Sequence, residues 1–223
     1  MNRSLKITVV LCAALLIAYA ALRHSVASAA TALPDPTVDE SLATKKGHET
    51  LVVAGGCFWG VQAVFQHVKG VASATSGYSG GTVSNPDYEQ VSGGETGHAE
   101  SVEIIYDPSQ ITLGQLLKVF FSVAHDPTEL NRQGPDSGTQ YRSAIFFSTP
   151  DQQRIARAYV QQLDRAKVFA QPIVTQITPF KAFYRAEDYH QNYATLHPDN
   201  PYIATFDLPK VEHLQQQFPN LYH

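Results

Sequence analysis

The sequence predicts an α+β fold: a two-layer sandwich on a ferredoxin-like β-α-β-β-α-β core, with an added α-β unit and an irregular C-terminal tail. Three observations lead there. Short apolar runs, some alternating every second residue, are interleaved with stripes spaced by three and four. Two stretches carry helix-start chemistry of the capping-box kind. A chain of 223 residues with 43% apolar content can bury one sizeable core.

The elements follow in chain order. Arg3 and Lys6 precede an uncharged apolar stretch, residues 7–22, and Ala27-Ser28-Ala29 and Ala30-Thr31-Ala32 fit small-x-small cleavage sites. Residues 1–29 therefore read as a secretory signal peptide, which implies an exported protein, periplasmic or secreted. The competing reading is an uncleaved anchor over residues 7–22, just short of the roughly 17–25 residues that span a bilayer. Residues 30–48, rich in Pro, Ala, Thr and Asp, form a linker or extended arm. The domain proper occupies 49–193. Thr50–Ala54 is a buried strand ended by Gly55-Gly56. From Cys57 the period turns helical, with Val61, Val64, Phe65 and Val68 on one face and Gly70 as the stop.

Val71–Tyr78 is a second strand. In Ser101–Tyr106 the residues Val102, Ile104 and Tyr106 share one strand face. Thr112-x-x-Gln115 opens a helix with Leu113, Leu116, Leu117, Phe120 and Phe121 as its stripe. Ser143–Phe147 is a strand, and Thr149-Pro150-Asp151-Gln152 opens a helix bearing Ile155, Tyr159 and Leu163. Ile173–Ile177 supplies the last strand. Residues 194–223 form a tail in which Leu214, Phe218 and Leu221 recur at helical spacing, so it should pack back on the domain.

Charge excludes some functions. With 16 basic against 20 acidic residues, no cationic excess exists to hold a phosphate backbone, so nucleic-acid binding is not expected. Loss of the leader removes Arg3, Lys6 and Arg23 but no acid, which leaves the remainder more acidic still. The two cysteines, Cys12 and Cys57, cannot build a disulfide framework or a multi-thiolate metal site. Cys12 and the sole methionine depart with the leader. His98 and His125 offer no ligand spacing with Cys57, so no metal is expected.

Cys57 is then the lone thiol, either a small apolar cap on the core or a reactive group. It lies where a strand hands over to a helix, and Gly56 permits the sharp turn. In the first helical turn, free N–H groups and the positive dipole end favour thiolate. The neighbours Phe58 and Trp59 tip the choice, because two aromatics at a strand end suit a pocket wall better than a core already supplied by the helix stripe.

The stretch Gly56-Cys57-Phe58-Trp59-Gly60 resembles the signature of the peptide methionine sulfoxide reductase A family. So do Gly97-His98-Ala99-Glu100, His125-Asp126-Pro127, Gly138-Thr139-Gln140-Tyr141-Arg142-Ser143 and Ala186-Glu187-Asp188-Tyr189-His190-Gln191. They occur in the family's order, over about Leu51 to Tyr193. The resemblance implies that Cys57 is the nucleophile toward the sulfoxide sulfur and that Glu100 is the acid at the sulfoxide oxygen. It assigns Tyr88 and Tyr141 as hydroxyl donors to that oxygen and Asp136 as a water-mediated partner. Phe58 and Trp59 correspond to the pocket for the substrate methyl group, and the S epimer is the one reduced. Such an enzyme repairs oxidised proteins or peptides and binds no cofactor.

Elementary chemistry agrees with these roles. A sulfoxide oxygen leaves poorly until protonated, so thiolate attack needs a positioned acid and hydroxyl donors. Glu100 must then hold its proton near neutral pH, and burial against Phe58 and Trp59 would raise its pKa. Loss of methionine leaves Cys57 as a sulfenic acid. Many relatives reduce that acid with a second cysteine, but position 92 is serine and the tail has none. An external thiol is expected instead: a thioredoxin-like protein, a glutaredoxin, glutathione or a membrane-tethered donor. Two rival activities share the thiol. A cysteine hydrolase or acyl transferase would use His98, His125 or His190 as base, and a thiol peroxidase would share the sulfenic product.

Overall fold

The computed structural model describes residues 33–223; the predicted leader and Cys12 lie outside the described residues. The elements are β1 (Glu49–Gly55), α1 (Phe58–Gln66), β2 (Val71–Ser79), α2 (Tyr88–Ser92), β3 (Ala99–Tyr106) and α3 (Leu113–Val119), then β4 (Arg132–Gln133), β5 (Asp136–Ser137), β6 (Ser143–Phe147) and α4 (Pro150–Ala166). The chain ends with β7 (Gln176–Pro179), β8 (Phe183–Arg185), α5 (Tyr193–Leu196) and α6 (Leu208–Gln217). Among the described residues no helix is long and apolar enough to cross a membrane.

One sheet runs in the order β7-β6-β1-β3-β2-β8. Every neighbouring pair is antiparallel except β6 and β7, which are parallel. The α+β class holds. Strand alternation sorts the side chains. Leu51, Val53, Val102, Ile104 and Tyr106 face the main core with Val61, Val64, Leu116, Leu117, Ile155, Tyr159 and Leu163 from the helices. Val52, Ala54, Ala99, Ala144 and Phe146 face the other way, under Phe180 and Phe183. The register pairs Gly55 with Ser143 and Tyr78 with Glu100. The end of β1, the start of β3 and the start of β6 therefore meet at one edge.

Several local expectations need correction. The strand expected at Ile173–Ile177 is β7, Gln176–Pro179, because Val174 instead donates its N–H to Pro127 O, and it is not the last, since β8 follows it and pairs with β2. The apolar stripe after Thr112 is α-helical only to Val119 and continues as a π-turn over Phe120–Ala124. That wider turn buries Phe120 and Phe121 together and stacks Phe120 on His125, ring centres 4.1 Å apart. Thr112 and Gln115 form the reciprocal box as expected. Thr149 caps Gln152 N–H, but the Gln152 side chain accepts from Ser148 N–H, one residue early. A short helix that the sequence reading did not place, α2, is capped reciprocally by Asp87 and Gln90.

Residues 33–48 hold no helix or strand, yet they are anchored. Asp39 accepts from Gly114 N–H at 2.9 Å and from the Thr112 hydroxyl, and Glu40 accepts from Leu113 N–H at 3.0 Å. The arm thus supplies carboxylates to the exposed N–H groups of α3. Tyr159 and Gln162 of α4 bind Pro34 O and Asp35 O. The tail buries Ile203, Leu214 and Phe218 against the domain.

Candidate active site

Gly56 lies at φ +86°, and a Cβ there would stand 2.4 Å from Gln133 Cγ, so only glycine fits the bend between β1 and α1. The bend places Cys57 at the N-cap of α1, not inside its first turn. Cys57 is 7% exposed. Burial pushes its thiol well above the usual range, and the charges of Glu100 and Asp207 push the same way. The Trp59 N–H and the Lys210 charge oppose that shift without cancelling it. Helix-end stabilisation alone suggested a thiolate; desolvation wins, and the resting group is a thiol.

Glu100 sits two positions before Val102 on the same face of β3, so strand alternation turns its carboxyl into the core side. It is 2% exposed and accepts from Phe58 N–H at 3.0 Å, one peptide unit beyond Cys57. Burial raises its pKa to about 8, against the lowering effect of that hydrogen bond; Asp136 and Asp207 add to the rise. The proton is therefore held near neutral pH, as the chemistry requires.

Tyr88 and Tyr141 both lie within electrostatic range of Glu100, Cys57 and Asp136. Burial raises Tyr88 to about 12 and Tyr141 higher, so both hydroxyls are donors at neutral pH. Tyr88 opens α2, and its N–H donates to Glu187 Oε1 at 2.9 Å. Tyr78 hydroxyl donates to Glu187 Oε2 at 2.8 Å, so one carboxylate ties α2 to β2. Asp136 accepts a short hydrogen bond from the Tyr202 hydroxyl.

The two aromatics after Cys57 part company. Phe58 is almost fully buried and joins the main core, 5.8 Å from the Tyr78 ring and 5.0 Å from His190. Trp59 is half-buried, stacked on Tyr193 at 4.0 Å with Tyr202 edge-on at 6.1 Å. Its indole N–H donates to His190 Nδ1 at 3.1 Å, which fixes that imidazole in the neutral Nε2–H form. Tyr193, Tyr202 and Glu187 were given no role in sequence, and His190 only that of a candidate base in the rival hydrolase. The Ala186–Gln191 motif flagged two of them, whereas nothing local marked the tail tyrosines.

No histidine serves Cys57 as a base. His98 Nδ1 accepts from Gly81 N–H at 3.1 Å, and its Nε2 donates to Val83 O at 2.8 Å. His125 is held between Phe120 O at 3.2 Å and Ser143 Oγ at 2.7 Å, and burial lowers its pKa to about 3. Among the described residues no group of three acidic, histidine or cysteine side chains is placed to hold a metal.

A buried thiol at a helix start, one peptide unit from a buried carboxyl that keeps its proton, within an α+β fold, defines a thiol-dependent oxidoreductase site. The sequence model described as peptide methionine sulfoxide reductase matches residues 49–221. Peptide methionine sulfoxide reductase MsrA 2 of Mesorhizobium japonicum is 62% identical over 176 residues, 79% of this chain and 90% of that protein. Its namesake in Synechocystis is 53% identical, over 83% of this chain and 88% of that protein. Methionine sulfoxide reductase A of Corynebacterium diphtheriae aligns at 37% identity and TM-score 0.60, over 75% of this chain and 84% of its own. Reduced Mxr1 of Saccharomyces cerevisiae aligns at 32% identity and TM-score 0.62, over 74% and 92%. The chain belongs to the peptide methionine sulfoxide reductase family, and its activity is reduction of peptide methionine sulfoxide.

Proposed function

We propose that the S epimer of methionine sulfoxide, free or in oxidised proteins, is reduced at Cys57 with Glu100 as the acid. The observation that carries this is the Phe58 N–H bond to Glu100, which sets a proton-bearing carboxyl beside the thiol. Glu100 gives its proton to the sulfoxide oxygen while Tyr88 and Tyr141 donate hydrogen bonds to the same atom. The Cys57 sulfur attacks the sulfoxide sulfur, the thiol's own proton restores Glu100, and the bond between the sulfoxide sulfur and oxygen then breaks. Oxygen ends on Cys57 as sulfenic acid, so the cysteine loses two electrons and methionine leaves reduced. Trp59 and Phe58 receive the methyl group, and Asp136, fixed by Tyr202, completes the polar side.

The alternatives find less support. A hydrolase would pair the thiol with an imidazole, and the three candidate histidines are engaged elsewhere. A peroxidase would share the thiol and its sulfenic product, but the family and relatives matched are methionine sulfoxide reductases. Return to the thiol takes two equivalents of an external thiol: the first forms a mixed disulfide and releases water, the second displaces Cys57. A thioredoxin-like protein, a glutaredoxin, glutathione or a membrane-tethered donor would serve, and the leader makes the periplasm or exterior the setting. The test is stereochemical. Wild type should consume the S and not the R sulfoxide, and Cys57→Ser should consume neither; full activity in that variant would sink the proposal.

A further inference from the structure

Cys57 is the N-cap of α1 and Gly60 its third helical residue, so both face the same side of the first turn. The space over Gly60 is filled. A Cβ there would stand 2.1 Å from Asp207 Oδ1 and 2.7 Å from Lys210 Nζ. Lys210 Nζ donates to that same Asp207 oxygen at 3.0 Å. The Asp207 side chain is wholly buried and that of Lys210 only 16% exposed, while Asp207 Oδ2 is buried with no hydrogen-bond partner. Packing alone gives no reason for such a pair, since apolar side chains of similar volume commonly serve a buried position as well or better.

We propose that Asp207 and Lys210 are positioning residues that set the ionisation of Cys57, Lys210 lending positive charge to the thiolate and Asp207 holding Lys210 over the first turn. The proposal rests on reading Cys57 as the nucleophile. The other ionisable groups that face the thiol are all acids: Glu100 from β3, Tyr88 from α2, Tyr141 before β6, and Tyr202 with its partner Asp136. His125 is also within the field of Lys210 but is neutral. Lys210 is therefore the cation that opposes them, among the described residues. Asp207 raises both Cys57 and Glu100, while Lys210 lowers Cys57 without a matching pull on Glu100. Asp207 thus helps the acid keep its proton, while Lys210 eases loss of the thiol's.

The test is the rate of Cys57 alkylation by iodoacetamide across pH in the whole chain, which reads the thiolate fraction directly. Lys210→Gln should raise the apparent thiol pKa and slow alkylation near neutrality roughly tenfold. Asp207→Asn keeps an oxygen to accept from Lys210 Nζ but removes the negative charge, so it should shift the thiol the opposite way and speed alkylation, and Lys210→Arg should track wild type. Shifts of the same sign in the Gln and Asn variants, or none, would overturn the proposal, since a merely structural role disturbs both alike. Should Lys210→Gln fail to fold by circular dichroism, Asp207→Asn decides alone: slower or unchanged alkylation defeats the idea. No sulfoxide enters the assay, so its outcome stands apart from whether the chain turns over methionine sulfoxide.

Discussion

Glu100 binds a proton more tightly folded than unfolded, with a pKa near 8 against an ordinary 4.5. Its stabilising contribution is complete below about pH 4.5 and is lost as pH rises through 8. His125 does the reverse, with a pKa near 3 against 6.5, so its contribution is complete above 6.5 and is lost as pH falls toward 3. The two slopes oppose between about pH 4.5 and 6.5, and urea melts should show a plateau there with decline on both sides. Glu100→Gln keeps the acceptor for Phe58 N–H and removes the titration. It should flatten the alkaline decline, by a few kcal/mol at about pH 9, while single-turnover reduction slows on the order of 10²-fold. Wild-type single-turnover rates should themselves fall above about pH 8, as Glu100 loses the proton it donates. An alkaline decline that survives in Glu100→Gln would contradict this assignment.

At the level of elements, the helix starts and strand faces were readable from sequence because their causes are local. Thr112 and Gln115 cap α3 as their spacing requires, and the parity of Val102, Ile104 and Tyr106 extends back to Glu100. What escaped depends on distant partners. Tyr202, Asp207 and Lys210 lie far along the chain from Cys57, and only folding the tail against α1 brings them to the site. The ionisation of Cys57 was misread for the same reason: the helix end is visible in sequence, but the desolvation that outweighs it is not. The arm belongs here too. Asp39→Ala should lower stability by about 1 kcal/mol in denaturant melts and leave reduction rates unchanged, since Asp39 serves α3 and not the site. Gly60→Ala forces a methyl group into Asp207 and should cost about 1–3 kcal/mol together with activity.

For the molecule as a whole, the governing fact is a count. Cys12 and Cys57 are the only cysteines, and Cys12 lies in the predicted leader. Ser92 spends its hydroxyl on Glu89 O at 3.1 Å. With no second thiol among the described residues, the proposed sulfenic acid on Cys57 would need a donor from outside, and catalysis would divide into two separable halves. The leaderless chain would hold no methionine of its own. The most direct measurement is a reductant-free single turnover of the leaderless chain on the S sulfoxide, with methionine counted and the Cys57 peptide weighed by mass spectrometry. One methionine per chain and one added oxygen on Cys57, cleared by a thiol, is the predicted result. Continued turnover without thiol, or methionine formed with Cys57 unmodified, would contradict it.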